Sequence, residues 1–161
     1  CVELLRSGQV DLIVVNFPNS HLDSMFTSTT IHEFQDVFIA DETFKELRGR
    51  KMSYQELLKY PILMLDKNST TSEYLHALFQ QHQLDLVPEV ELSSNDLLID
   101  LARIGLGIAF IPDYCLTKMP EDLFLLEMKE DLPKRKLALA YNSHVPVSKA
   151  AVEFMHLLQP V

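Results

Sequence analysis

Short apolar runs alternate with amphipathic stretches along this chain. Val10–Val15 (VDLIVV), Pro61–Leu65 (PILML) and Ile108–Ile111 (IAFI) are nearly continuous apolar runs of strand length. That is the pattern of strands covered on both faces, so each is predicted to lie in a parallel sheet. Phe34–Ala40, Val87–Leu92, Leu123–Met128 and Lys136–Tyr141 are predicted as further strands. Between them, apolar residues recur at helical spacing: Tyr74, Leu75, Leu78 and Phe79; Leu97, Leu98, Leu101 and Ile104; Ala151, Phe154, Met155 and Leu158. Cys1–Ser7 reads as the end of a helix stopped by Gly8.

Punctuation fits these elements. Ser53 and Glu56 form a capping box opening a short helix to Tyr60, and Thr70 with Glu73 forms a second. Ser93 and Ser94 precede the Leu97–Ile104 helix as caps, and Ser148 caps the last helix, with Val147 and Val152 spaced for a hydrophobic staple. Gly105 suits the left-handed residue that ends a helix, and Gly107 allows a close turn into the Ile108 run. Asp113–Lys118 is predicted as a short helix and Glu130–Lys134 as an exposed turn.

Alternating strands and helices imply an α/β class with largely parallel sheets. In such sheets ligands collect beyond the C-terminal strand ends, where helix N-termini converge. The candidate ligand-binding residues are therefore Asn16, Phe17 and Pro18; Asn68, Ser69, Thr70 and Thr71; and Ser93, Ser94 and Asn95. The free N–H groups of the helices at Thr70 and Ser94 favour an anion, a carboxylate being the simplest.

The chain of 161 residues suffices for one ordinary domain or two small lobes sharing a cleft. Its formal net charge is −9, and the short Arg48–Gly49–Arg50–Lys51 segment reads as a solvated loop, so this chain by itself is not expected to bind DNA. Cys1 and Cys115 lie too far apart in sequence to suggest a disulfide framework or a zinc site. His21, His32, His76, His82, His144 and His156 form no metal-binding pair, and HExxH and GxSxG are absent. Gly105–Leu106–Gly107 lacks the rest of a dinucleotide fingerprint. No cofactor, metal or reaction is expected. No apolar stretch approaches the length of a membrane span.

The order of the pieces LLRSGQVDLIVV, FQDVFIAD, YPILMLDKNSTTSEYLHALF, LSSNDLLIDLARIGLGIAFIP, LALAY and VSKAAVEFMHLL resembles the effector-binding domain of bacterial LysR-type transcriptional regulators. The resemblance implies a two-lobed fold like type II periplasmic binding proteins. One lobe would hold residues 1–36 with 127–161, the other residues 37–126. A small inducer would bind between the lobes, with Ser69, Thr70 and Thr71 at the family position that offers it hydroxyls and N–H groups. The resemblance also implies that the first lobe here lacks its N-terminal strand and helix. It implies a cytoplasmic homo-oligomer that reaches DNA only through a winged helix-turn-helix outside this chain. The alternatives are an extracytoplasmic solute-binding protein of a transporter, which shares the fold, and a small α/β enzyme, for which no acid–base motif is present.

Overall fold

The computed structural model describes residues 1–116, 118 and 120–158. In chain order the elements are α1 (Val2–Arg6), β1 (Leu12–Phe17), β2 (Phe26–Phe34), β3 (Asp36–Asp41), β4 (Lys51–Met52), α2 (Tyr54–Leu57), β5 (Ile62–Leu65), α3 (Thr70–Gln81), β6 (Val90–Leu92), α4 (Asn95–Arg103), β7 (Ile108–Pro112), β8 (Leu123–Leu125), β9 (Glu127–Met128), β10 (Arg135–Asn142) and α5 (Lys149–Leu158). They fold into two compact units, Cys1–Phe34 with Arg135–Val161, and Gln35–Lys134. The change-overs therefore fall at Phe34/Gln35 and Lys134/Arg135, whereas the family resemblance places them at residues 36/37 and 126/127.

The first unit holds a three-stranded sheet in the order β1–β10–β2. Both pairings are antiparallel, running from Leu12↔Tyr141 to Phe17↔Lys136 and from Phe34↔Arg135 to Phe26↔Asn142. This corrects the parallel placement of the VDLIVV run. An apolar run reports burial, not direction, and the partner of β1 comes from the far end of the chain. The strand β2 (FTSTTIHEF) carries no apolar run because most of it is exposed, although its Thr-rich, β-branched composition favours extended backbone. Val2, Leu5, Ile13 and Ala140 form the core of this unit. Ser148 caps α5 by accepting from Ala151 N at 3.2 Å. Ala151 is buried, but Phe154 is 45% exposed and does not face inward as its spacing suggested.

The second unit is built on a five-stranded sheet, β6–β5–β7–β3–β8. β6, β5 and β7 run parallel, while β3 is antiparallel to both β7 and β8, so the sheet is mixed rather than largely parallel. Alternate residues feed two cores, as the two-residue period of a strand requires. Phe38, Ile62, Met64, Ile108 and Phe110 pack with Leu75, Leu78 and Phe79 of α3. Ile39, Leu63, Ala109 and Ile111 pack under Leu98 and Ala102 of α4. The stripe read from the sequence for α4 was rotated: Leu97 is 53% and Ile104 74% exposed, while Ala102 is fully buried.

Local signals held to differing degrees. The Ser53–Glu56 capping box is complete. The Glu56 carboxylate also meets Lys129 and Arg50, and these bonds hold its pKa well below the usual carboxylate range. Gly105 does end α4 with φ +74°. The Asp113–Lys118 helix reduces to a 3₁₀ turn over Asp113–Cys115, and Thr117 lies outside the described residues. The Glu130–Lys134 turn is not wholly exposed, because Leu132 is 8% exposed and belongs to the α3-side core.

Candidate functional site

The parallel strands β5 and β6 set the geometry. Leu65 pairs with Leu92, and Asp66 N donates to Leu92 O at 2.8 Å, so the two following loops leave the same edge side by side. After β5, Asp66 organises the turn. Its Oδ1 accepts from Asn68 N at 2.9 Å and its carbonyl accepts from Ser69 N at 2.9 Å. This aims the chain into α3. After β6, Ser94 Oγ accepts from Leu97 N at 3.4 Å and opens α4. Two helix N-termini, whose first N–H groups have no intrahelical acceptor, are thus carried by adjacent strands.

The α3 cap is Ser69, not Thr70. Ser69 Oγ accepts from Thr71 N at 3.2 Å, and its carbonyl accepts from Glu73 N at 3.0 Å. The cap therefore sits one residue before Thr70 of the expected Thr70–Glu73 box, because the Asp66 turn leaves Ser69 in extended backbone. Thr70 becomes the first helical residue and is half-buried; Thr71 is buried. Asn68 and Ser93 are exposed, Ser94 and Asn95 half-buried. Asn95 Oδ1 is shielded from solvent and has no hydrogen-bond partner among the described residues.

Asn16, Phe17 and Pro18 belong to the first unit. Asn16 and Phe17 are the last residues of β1, paired with Leu137 and Lys136, rather than members of a loop. Phe17–Pro18 is a cis peptide, and Pro18 is exposed.

Sequence reasoning missed the acidic side of the edge in the second unit. β7 runs parallel to β5, so its C-terminal end, Pro112, and the Asp113–Cys115 turn lie along the same edge. Asp36, fully buried at the start of β3, pairs across from Pro112. A carboxylate opening the apolar run VFIA was the one signal available for it. Burial, then Asp96, Asp36 and Asp113 in that order, push the Cys115 thiol up to about 11. At pH 8, iodoacetamide should therefore label Cys115 about a hundredfold more slowly than an unperturbed thiol, for want of thiolate. Mass spectrometry of a labelling time course checks this, and rapid labelling of Cys115 contradicts it. Among the described residues no cluster of side chains is arranged to hold a metal ion, and no helix is long and apolar enough to cross a membrane.

The model of the LysR substrate binding domain matches residues 1–161. The chain belongs to this LysR substrate-binding domain family. Among characterised proteins it is similar to the HTH-type transcriptional activator CmpR of Synechocystis, 28% identical over 118 residues. That match covers 71% of this chain and 37% of CmpR, so the chain spans well under half of that relative. Among solved structures, the regulatory domain of Synechocystis CcmR in complex with 2-PG superposes with a TM-score of 0.85 at 23% identity, over 97% of this chain and 75% of that one. The effector binding domain of QuiR in complex with shikimate gives 0.81 at 14% identity, over 98% and 74%. The two-lobed α/β fold of LysR-type effector-binding domains is thus the fold of this chain.

Proposed function

We propose that this domain is the inducer-sensing part of a LysR-type transcriptional regulator, and that it binds a small anion, such as a carboxylate, at the α3 and α4 N-termini. The observation that carries the reading is the pair of capped helix N-termini set side by side by β5 and β6. Oriented N–H groups and hydroxyls at Asn68–Thr71 and Ser93–Asn95 offer donors to an anion without needing a side-chain cation. The carboxylates of Asp36, Asp96 and Asp113 lie on the same edge, so the helix N–H groups and hydroxyls must outweigh them at short range. The 2-PG and shikimate found in the CcmR and QuiR structures support the ligand class.

In this reading the domain catalyses nothing, needs no cofactor and works in the cytoplasm within a homo-oligomer. A helix-turn-helix carries the DNA contact. A thermal-shift screen of carboxylates and phosphorylated acids, with 2-PG and shikimate among them, tests the ligand class. A ligand at a hundred times its Kd stabilises by about 2.7 kcal/mol, which raises the Tm of a chain this size by several degrees. A screen in which amines and neutral polyols raise the Tm while no anion does would overturn the anion assignment.

A further inference from the structure

A second recess lies in the second unit at the opposite end of α3. It has a volume of about 220 Å³ and is lined by Ser53, Tyr54, Gln55, His82, Leu84 and Glu130. Its electrostatics are one-sided. His82 is the C-cap of α3, so the recess opens at the carbonyl end of a twelve-residue helix, the negative end of its dipole. Glu130 adds a full negative charge. One of its oxygens, Oε2, lies 3.1 Å from His82 Nε2, and Oε1 makes no hydrogen bond or ion pair among the described residues. No Lys or Arg lines the recess. Lys129, the nearest in sequence, is engaged with Glu56 at 2.9 Å.

The wall is rigid. Tyr54 is 3% exposed and is clamped between Phe79, edge to face at 5.2 Å, and His82, stacked at 4.6 Å. Its hydroxyl has no hydrogen-bond partner among the described residues. Burial and the Glu130 charge raise its pKa, so the phenol stays neutral and keeps its lone pairs for a donor. His82 stacks on one face of the Tyr54 ring and Phe79 packs against it at a steep angle, so the hydroxyl is the group proposed to meet a ligand.

We propose that this recess binds a small organic ammonium group, which donates to Glu130 Oε1 and the Tyr54 hydroxyl with its alkyl part against Leu84. The site is separate from the proposed anion site at the other end of the same helix, and neither depends on the other.

The test is an NMR titration of the ¹⁵N-labelled chain with propylammonium chloride, with sodium propionate and sodium chloride as matched controls. It is run at pH 8, where a histidine side chain ordinarily carries no charge. The expected result is a saturable shift of the Tyr54, Gln55, Gln83 and Leu84 amides with propylammonium alone. Glu130→Gln should weaken that binding at least tenfold, and Gln55→Lys, which brings a competing cation to the mouth, should weaken it severalfold. Shifts that fail to saturate, that sodium chloride reproduces, or that survive Glu130→Gln unchanged overturn the proposal.

Discussion

Phe110→Ala is expected to cost about 3–5 kcal/mol of stability, the range for truncating a fully buried aromatic residue. Phe110 lies on β7, inside the five-stranded sheet, at 0% exposure. Its ring meets that of Phe38 at 4.7 Å across the β3–β7 pair, at residues directly opposite one another. It packs in the same core as Leu75 and Phe79 of α3. Strands enclose it on both sides and helices cover it, so the surroundings have little room to collapse into the space left behind. Urea unfolding of the second unit, followed by a probe within it, reads the loss. Leu97→Ala on the outer face of α4 should change the same midpoint by no more than about 0.5 kcal/mol, because Leu97 is already 53% exposed. Equal costs at the two positions would mean that the burial pattern of this sheet is wrong.

Gly107→Ala is expected to cost about 1–3 kcal/mol or more, as overpacking does. A Cβ at Gly107 would lie 2.5 Å from the Pro61 carbonyl oxygen and 3.0 Å from Leu63 Cγ and Cδ2. The oxygen cannot step aside cheaply, since it accepts the Ile108 N–H at 2.8 Å, a link between the starts of β5 and β7. Gly105→Ala is a useful contrast. There the nearest atom is the Thr43 hydroxyl, the end of a side chain, but φ is +74°. The penalty at Gly105 is thus partly a matter of backbone preference, whereas the penalty at Gly107 is contact, first with the Pro61 carbonyl oxygen and then with the Leu63 side chain. Thermal unfolding of the two variants compares them. A Gly107→Ala protein as stable as the parent contradicts the close approach of β5 and β7 at this turn.

Much of the second unit was legible in the sequence because its signals are local. The GLGIAFIP segment states a helix stop, a turn and a buried strand in consecutive residues, and Ser53 and Glu56 cap each other within one turn. What was not legible depends on residues far apart. The antiparallel pairing of β1 with β10 joins Leu12 to Tyr141, and no pattern in VDLIVV announces it. The α4 stripe misled because Leu97 and Ile104 are as apolar as Leu98, and only the position of the sheet decides which face is covered. The shift of the α3 cap from Thr70 to Ser69 came from the Asp66 turn, which a capping motif read alone does not contain. The candidate ligand loops of the second unit could be found because parallel strands send them to one edge. The carboxylates of Asp36, Asp96 and Asp113 beside them were missed, since the tertiary structure gathers them from three separate segments.

The displaced cap makes the central claim separable from stability. Ser69→Ala removes the cap of α3 and should cost about 0.5–2 kcal/mol, while Thr70→Ala leaves that cap in place. If an anion binds at this helix N-terminus, Thr70→Ala should weaken it about tenfold, the worth of one hydrogen bond to a charged group, with the Tm of the free protein nearly unchanged. Isothermal titration of the parent and Thr70→Ala chains with the anion giving the largest thermal shift measures this directly. A tenfold loss of affinity at constant Tm is the predicted result, and an affinity unchanged by Thr70→Ala contradicts the placement of the ligand at the N-terminus of α3.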